Sequence, residues 1–102
     1  MIFVRSVRFE RGCRGVFEEE DLIALELALV AKPDAGKLIK NGDGLRKLRW
    51  GASGRGKRGG VRVIYYWWTA DGRILLLDVY TKNEKEDLSG DELKKLKKEI
   101  VQ

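Results

Sequence analysis

The sequence predicts an α+β domain. Its centre is an antiparallel sheet, made of a three-strand meander and a short N-terminal strand. A helical region lies towards the N-terminus and a helix at the C-terminus. Three observations carry this reading. Val61 to Thr69 reads Val-Arg-Val-Ile-Tyr-Tyr-Trp-Trp-Thr, a run of β-branched and aromatic residues. Asp71-Gly72 follows, a hairpin signal that leads into a second apolar run, Ile74 to Tyr80. Ahead of these strands, Leu22, Leu25 and Leu29 recur at helical spacing.

Taken in order, Met1 to Val4 is a short apolar run suited to a strand. Arg5 to Gly15 carries no clear period, and Gly12 and Gly15 weaken any helix there. Glu18-Glu19-Glu20-Asp21 places acids where a helix begins, at its positive end. Ile23, Leu27 and Val30 lie beside the leucine stripe, giving a broad apolar face suited to packing on a sheet. Pro33 ends that helix, because the residue before a proline avoids helical geometry. Asn41-Gly42-Asp43-Gly44 is turn chemistry. Leu45 to Trp50 then alternates Leu45, Lys47 and Arg49 against Arg46, Leu48 and Trp50. Ser89 with Glu92 three residues later forms a capping box, and Leu93, Leu96 and Ile100 stripe the helix it opens.

A chain of 102 residues supports one domain, residues 1–102, and a modest core. Histidine is absent, which excludes His-based acid–base catalysis, His metal ligation and the Ser-His-Asp triad. The single cysteine, Cys13, cannot form an internal disulfide and reads as a small apolar residue in a reducing cytosol. No apolar run approaches the roughly 20 residues that span a bilayer. The apolar start is too short for a signal peptide and is broken by Arg5. The expectation is a cytoplasmic protein without membrane contact.

The charge is informative. The net charge is +5, yet it is unevenly spread. Between Gly36 and Trp68 lie Lys37, Lys40, Arg46, Lys47, Arg49, Arg55, Lys57, Arg58 and Arg62, against Asp43 alone. Acids flank this stretch on both sides. A basic middle between acidic flanks points to a localised anion-binding surface. Lys47 and Arg49 share a strand parity and so a sheet face, and Arg62 can join them across the sheet. Like charges set opposite one another destabilise a sheet. An ordinary solvated face is the alternative, but an unpaired basic cluster favours contact with phosphate or RNA.

The segment Gly51-Ala-Ser-Gly-Arg-Gly-Lys-Arg-Gly-Gly60 spells fragments of two nucleotide-binding motifs. Both need a following helix, and here a strand follows; Arg58 also stands where the P-loop needs Ser or Thr. The segment is either a solvated hairpin loop or a mobile basic loop that grips a phosphate backbone. Tyr65, Tyr66, Trp67 and Trp68 suit core and rim packing, with base stacking as the alternative. Glu84, Glu86 and Asp87 read as a solvated loop, or else as a carboxylate pair for acid–base work. Without histidine, RNA cleavage would rest on Arg and Lys to stabilise developing charge, with a Lys or Tyr of lowered pKa assisting a 2′-hydroxyl.

Gly44-Leu-Arg-Lys-Leu-Arg-Trp50, the Gly-rich basic loop, Lys57-Arg-Gly-Gly-Val-Arg-Val-Ile-Tyr-Tyr66 and Tyr80-Thr-Lys-Asn-Glu-Lys-Glu-Asp-Leu-Ser89 together resemble the RelE/HigB family of bacterial toxins, closest to its HigB-type branch. The similarity spans about half the chain, Gly44 to Ser89, and the order of elements fits the rest. The resemblance implies a RelE-like fold and a ribosome-dependent mRNA endonuclease that cuts in the A site by attack of the 2′-oxygen on the adjacent phosphate. It implies no metal or cofactor. The implied partners are the 70S ribosome with its rRNA and mRNA, and a cognate antitoxin that commonly carries a helix-turn-helix domain. Residue by residue, it places Lys47, Arg49, Arg62, Lys82 and Tyr80 in the catalytic site. Arg46, Arg55, Lys57, Arg58 and Lys85 fall to RNA binding. Where RelE carries a further Arg and Tyr after the last strand, this chain has Asn83 and Ser89, so acid–base work falls to Tyr80 or Lys82. Two rival readings stay open: a ParE-like gyrase inhibitor of the same fold, and an RNA-binding module without catalysis.

Overall fold

The computed structural model describes residues 1–51 and 60–100. The elements run β1 (Ile2–Arg5), α1 (Val7–Cys13), α2 (Glu19–Ala31), β2 (Lys37–Leu38), β3 (Arg46–Trp50), β4 (Val61–Trp68), β5 (Arg73–Thr81) and α3 (Gly90–Ile100). They form an α+β fold around one five-stranded sheet in the order β1-β5-β4-β3-β2. The expected meander is β3-β4-β5, antiparallel throughout. Two features differ from expectation. The N-terminal strand joins the open edge of β5 in parallel, so the sheet is mixed. The two-residue β2 adds a further edge beside β3.

The stretch around Gly12 is helical after all. Ser6 caps α1 by accepting from the Phe9 N–H at 3.0 Å and donates its own hydroxyl to the Leu77 carbonyl at 3.1 Å. Phe9 and Cys13, one turn apart, are buried. Gly12 lowers the helix propensity, but a Cβ there would lie 2.5 Å from the Val79 carbonyl oxygen. Close packing of α1 on β5 therefore requires the glycine that weakens the helix as read from sequence. In the 41–44 turn, Asn41, Asp43 and Gly44 all take positive φ, which explains the residues chosen there.

Two cores lie on opposite faces of the sheet. One packs Phe9, Leu25 and Leu29 from α1 and α2 onto Val63, Tyr65, Leu76 and Val79. The other packs Leu45 and Leu96 onto Ile64, Leu75 and Leu77. Each fully buried Phe or Leu contributes about 1.5–3 kcal/mol. The apolar face of α2 is narrower than expected. Leu22, Leu25 and Leu29 are buried, whereas Ile23, Leu27 and Val30 are 50%, 65% and 50% exposed. A helix lying on a sheet buries only the stripe it touches. The Ser89–Glu92 capping box forms as expected, with reciprocal bonds of 2.9 and 3.1 Å. Among the described residues, no helix is long and apolar enough to cross a membrane.

One irregularity positions the site. Ile64 pairs with Asp78 and Tyr65 with Leu76, leaving Leu77 as an extra residue in β5. Before this bulge, Leu75 and Leu77 face α3; after it, Tyr80 does. The bulge switches which parity of β5 faces which core.

Candidate functional site

The site is built on the α3 face of the sheet, at the end where β3, β4 and β5 lie side by side. Arg49 on β3 pairs directly with Arg62 on β4, and Arg62 pairs with Tyr80 on β5. Two residues further along β3, Lys47 stands opposite Lys37 on β2. Parity thus brings Lys47, Arg49 and Arg62 onto one face, as the strand pattern anticipates, and the bulge in β5 turns Tyr80 to the same face. Two like-charged cross-strand pairs side by side are unfavourable unless something negative sits between them.

Arg62 is only 5% exposed. Among the described residues it faces no carboxylate at ion-pair distance, and its guanidinium donates to the Gly60 carbonyl at 3.4 Å. A buried cation without an acid partner is costly. Tyr80 is 1% exposed, and among the described residues its hydroxyl has no hydrogen-bond partner. Burial, then Asp87 and Asp78, push the Tyr80 phenol up to about 12, against the pull of Arg62. The sequence reading allowed a tyrosine of lowered pKa; the structure moves Tyr80 the other way. Its hydroxyl is therefore protonated at neutral pH and, among the described residues, has no acceptor.

Tyr80 and Lys47 line a groove of about 400 Å³ between the β2–β3 edge and the 82–89 loop. Its walls include Leu38, Ile39, Leu88 and Leu93, its rim Lys37 and Lys40. Asp87 reaches in from the loop and bonds Lys47 Nζ at 2.5 Å. Apolar walls with a cationic rim suit a ligand that is part ring and part anion.

Behind the groove a charged network ties α3 to the sheet. Arg8 Nη2 bonds Glu92 at 2.9 Å and lies 3.3 Å from Asp78 Oδ2, an ion pair without hydrogen-bond alignment. Lys85 also bonds Glu92. Its ammonium sits 4.8 Å from the centre of the Tyr80 ring, a cation–π contact. The Lys85 hydrogen bond, followed by the Ser89 N–H, holds the Glu92 carboxyl down at about 2. Burial pushes the Asp78 carboxyl up, opposed by Arg8. Neither Arg8 nor Glu92 stood out in the sequence as part of this site. Only the capping role of Glu92 was legible there.

No protein-family model matches the chain. Among solved structures, a mutant of the E. coli toxin RelE in its free state superimposes with a TM-score of 0.61. The match is 13% identical in sequence and covers 99% of this chain and 97% of that one. The fold is RelE-like.

Within this RelE-like fold the remaining expected site residues take different places. Arg46 lies on the opposite face, paired with Tyr65, and donates to the Gly36 carbonyl at 2.8 Å. It braces the loop after α2 and is not brought to the basic row. Lys82 is exposed on the turn after β5, one residue beyond the strand that would have set its direction. Lys85 is half-buried and held by Glu92 and Tyr80. Arg55, Lys57 and Arg58 fall outside the described residues. Glu84 accepts from the Thr81 N–H and hydroxyl at 3.1 and 3.2 Å, so it closes the turn. The aromatic run divides as packing predicts. Tyr65 is fully buried, Tyr66 and Trp68 meet edge to face at 5.9 Å, and Arg73 lies over Trp68. Cys13 is buried, and burial pushes its thiol up to about 11, away from reactivity.

Proposed function

We propose that this chain is the toxin of a bacterial type II toxin–antitoxin pair, of RelE/HigB type, acting in the cytoplasm. In this reading it cuts mRNA in the A site of the ribosome and is neutralised by a cognate antitoxin. The observation that supports it best is the row Arg49, Arg62, Tyr80, in which, among the described residues, a buried cation lacks an acid and a buried hydroxyl lacks a partner. A phosphodiester supplies what both groups lack: negative charge and acceptor oxygens.

In the proposed reaction the 2′-hydroxyl gives its proton to solvent water as its oxygen bonds the adjacent phosphorus. The bond from phosphorus to the 5′-oxygen of the next nucleotide breaks, leaving a 2′,3′-cyclic phosphate, and that 5′-oxygen takes a proton from water. Arg62 neutralises the scissile phosphate. Lys47 and Arg49 orient the RNA and stabilise charge on the equatorial oxygens. Tyr80, kept protonated by burial, donates to a phosphate oxygen. Lys82 completes the site from the turn after β5. Lys85 acts through the Tyr80 ring. Arg55, Lys57 and Arg58 serve the wider RNA interface, while Arg46, turned to the opposite face, keeps the loop after α2 in place.

The test is primer extension on mRNA in a cell-free translation reaction, beside the same mRNA without ribosomes. New 5′ ends within codons, present only with ribosomes, are expected. Arg62→Ala should lower their yield by about 10²–10³-fold, the usual cost of one lost charge-stabilising donor, while leaving the far-UV spectrum intact. Intact mRNA with folded protein would overturn the nuclease reading in favour of a gyrase inhibitor or a non-catalytic binder. Cleavage without ribosomes would overturn the ribosome dependence.

A further inference from the structure

The loop between β5 and α3 carries an inference that rests on the proposed phosphate site and concerns its regulation. Asp87 is the acid that meets Lys47, at 2.5 Å, and both side chains line the groove beside Tyr80. The pair is partly open to solvent, which alone would give it little weight. The loop that presents it, however, is fixed at both ends. Glu84 closes the turn at Thr81, and Ser89 with Glu92 caps α3. Lys85, between these anchors, is bonded to Glu92. Asp87 is therefore held over Lys47 from an anchored span. Among the described residues Arg49 and Arg62 have no such carboxylate, so one cation of the basic face is neutralised and its neighbours are left open.

We propose that Asp87 is a built-in stand-in for a substrate phosphate. A carboxylate offers the same unit charge and paired acceptor oxygens as the two non-bridging oxygens of a phosphodiester. In the free protein it occupies Lys47. When RNA binds, a backbone phosphate takes its place, and when product leaves, Asp87 recaptures Lys47. Asp87 is a positioning residue here: it acts through Lys47 and sets how tightly the site holds a nucleic-acid backbone. Binding of RNA is an exchange of one anion for another at this point, so it is weaker and less salt-sensitive than the basic face alone would give.

The test uses the full chain and a short single-stranded 2′-O-methyl RNA, which keeps its phosphates but offers no free 2′-hydroxyl for attack. Affinity is measured against salt for the wild type, Asp87→Asn and Glu86→Gln. Glu86 is exposed, next in sequence and outside the groove lining, so its variant makes the same change in net charge. Asp87→Asn should bind roughly two- to five-fold tighter, the range of a partly exposed ion pair. Its plot of log K against log salt should steepen by about 0.7, one extra phosphate neutralised on a single strand. Glu86→Gln should do neither. Equal or weaker binding by Asp87→Asn, with the wild type binding, overturns the stand-in role alone. An equal gain in Glu86→Gln reduces the effect to net charge and overturns it as well. No binding by wild type or either variant, with all three folded, overturns the phosphate site itself.

Discussion

Two tyrosines on β4 and β5 are both fully buried, and they face opposite cores. Tyr65, on the α1–α2 side, uses its hydroxyl completely. It donates to the Pro33 carbonyl at 2.7 Å and accepts from the Gly36 N–H at 2.8 Å. Tyr80, on the α3 side, uses its hydroxyl not at all. The arginines divide the same way. Arg46, on the Tyr65 side, donates to loop carbonyls, while among the described residues Arg62, on the Tyr80 side, makes a single long bond, to Gly60. The α1–α2 face is closed: its polar groups answer one another and fasten the chain after α2. The α3 face keeps buried polar groups open, at a cost in stability. The difference separates groups that hold the fold from groups that do not, and the latter are the ones assigned to the proposed phosphate site.

Removing the two hydroxyls in turn is the sharpest way to break this contrast. Tyr65→Phe leaves the Gly36 N–H and the Pro33 carbonyl without their partner, and should cost about 1–3 kcal/mol in urea unfolding. Tyr80→Phe loses no bond seen among the described residues and should be within about 0.5 kcal/mol of wild type, or more stable, while the proposed mRNA cleavage should fall. Equal destabilisation by both would erase the distinction between the faces. Gly12→Ala tests how tightly the closed face is packed. The added methyl meets the Val79 backbone oxygen at 2.5 Å, so a loss of about 1–2 kcal/mol is expected from thermal melts despite alanine's better helix propensity. An unchanged or raised melting temperature would mean that α1 is loosely seated.

On the α3 face Glu92 is held by both Lys85 and Arg8, and its titration gives the smallest effect. The Glu92 carboxyl is lowered from 4.5 to about 2 in the folded state. Its stabilising contribution is therefore fully present above about pH 4.5 and is lost as pH falls towards 2. Glu92→Gln should be less stable than wild type at neutral pH, and the difference should shrink across that acid window. A difference that stays constant with pH would show that Glu92 serves α3 through its capping bonds alone.

These contrasts were only partly legible in the sequence. Alternation in Leu45–Trp50 and Val61–Thr69 placed Lys47, Arg49 and Arg62 on one face, because parity is a local property of an unbroken strand. The same arithmetic fails on β5, where the extra Leu77 reverses parity and turns Tyr80 towards α3. That reversal depends on pairing with Ile64 and Tyr65, residues on another strand. The α1 helix was illegible because its glycine answers a contact with Val79, far along the chain. The pairing of Asp87 with Lys47 was equally hidden. The sequence shows a charged loop but not where the loop folds back. The Ser89–Glu92 cap, by contrast, spans four residues and could be read directly.

The parallel docking of β1 beside β5 bears on how the chain assembles. Ile2 pairs with Arg73 and Arg5 with Leu76, while Ser6 and Arg8 reach Leu77 and Asp78. Such contacts close loops across most of the chain, and long closures slow folding. During synthesis the first strand emerges early and has no neighbour to join until β5 follows. The β3–β4–β5 meander can pair as it appears, but the charged tie between α1, β5 and α3 needs residues from both ends. Completion of the fold thus waits until β5 and α3 have followed β1 and α1, so the basic face beside Arg62 and Tyr80 takes shape only after those late elements are made.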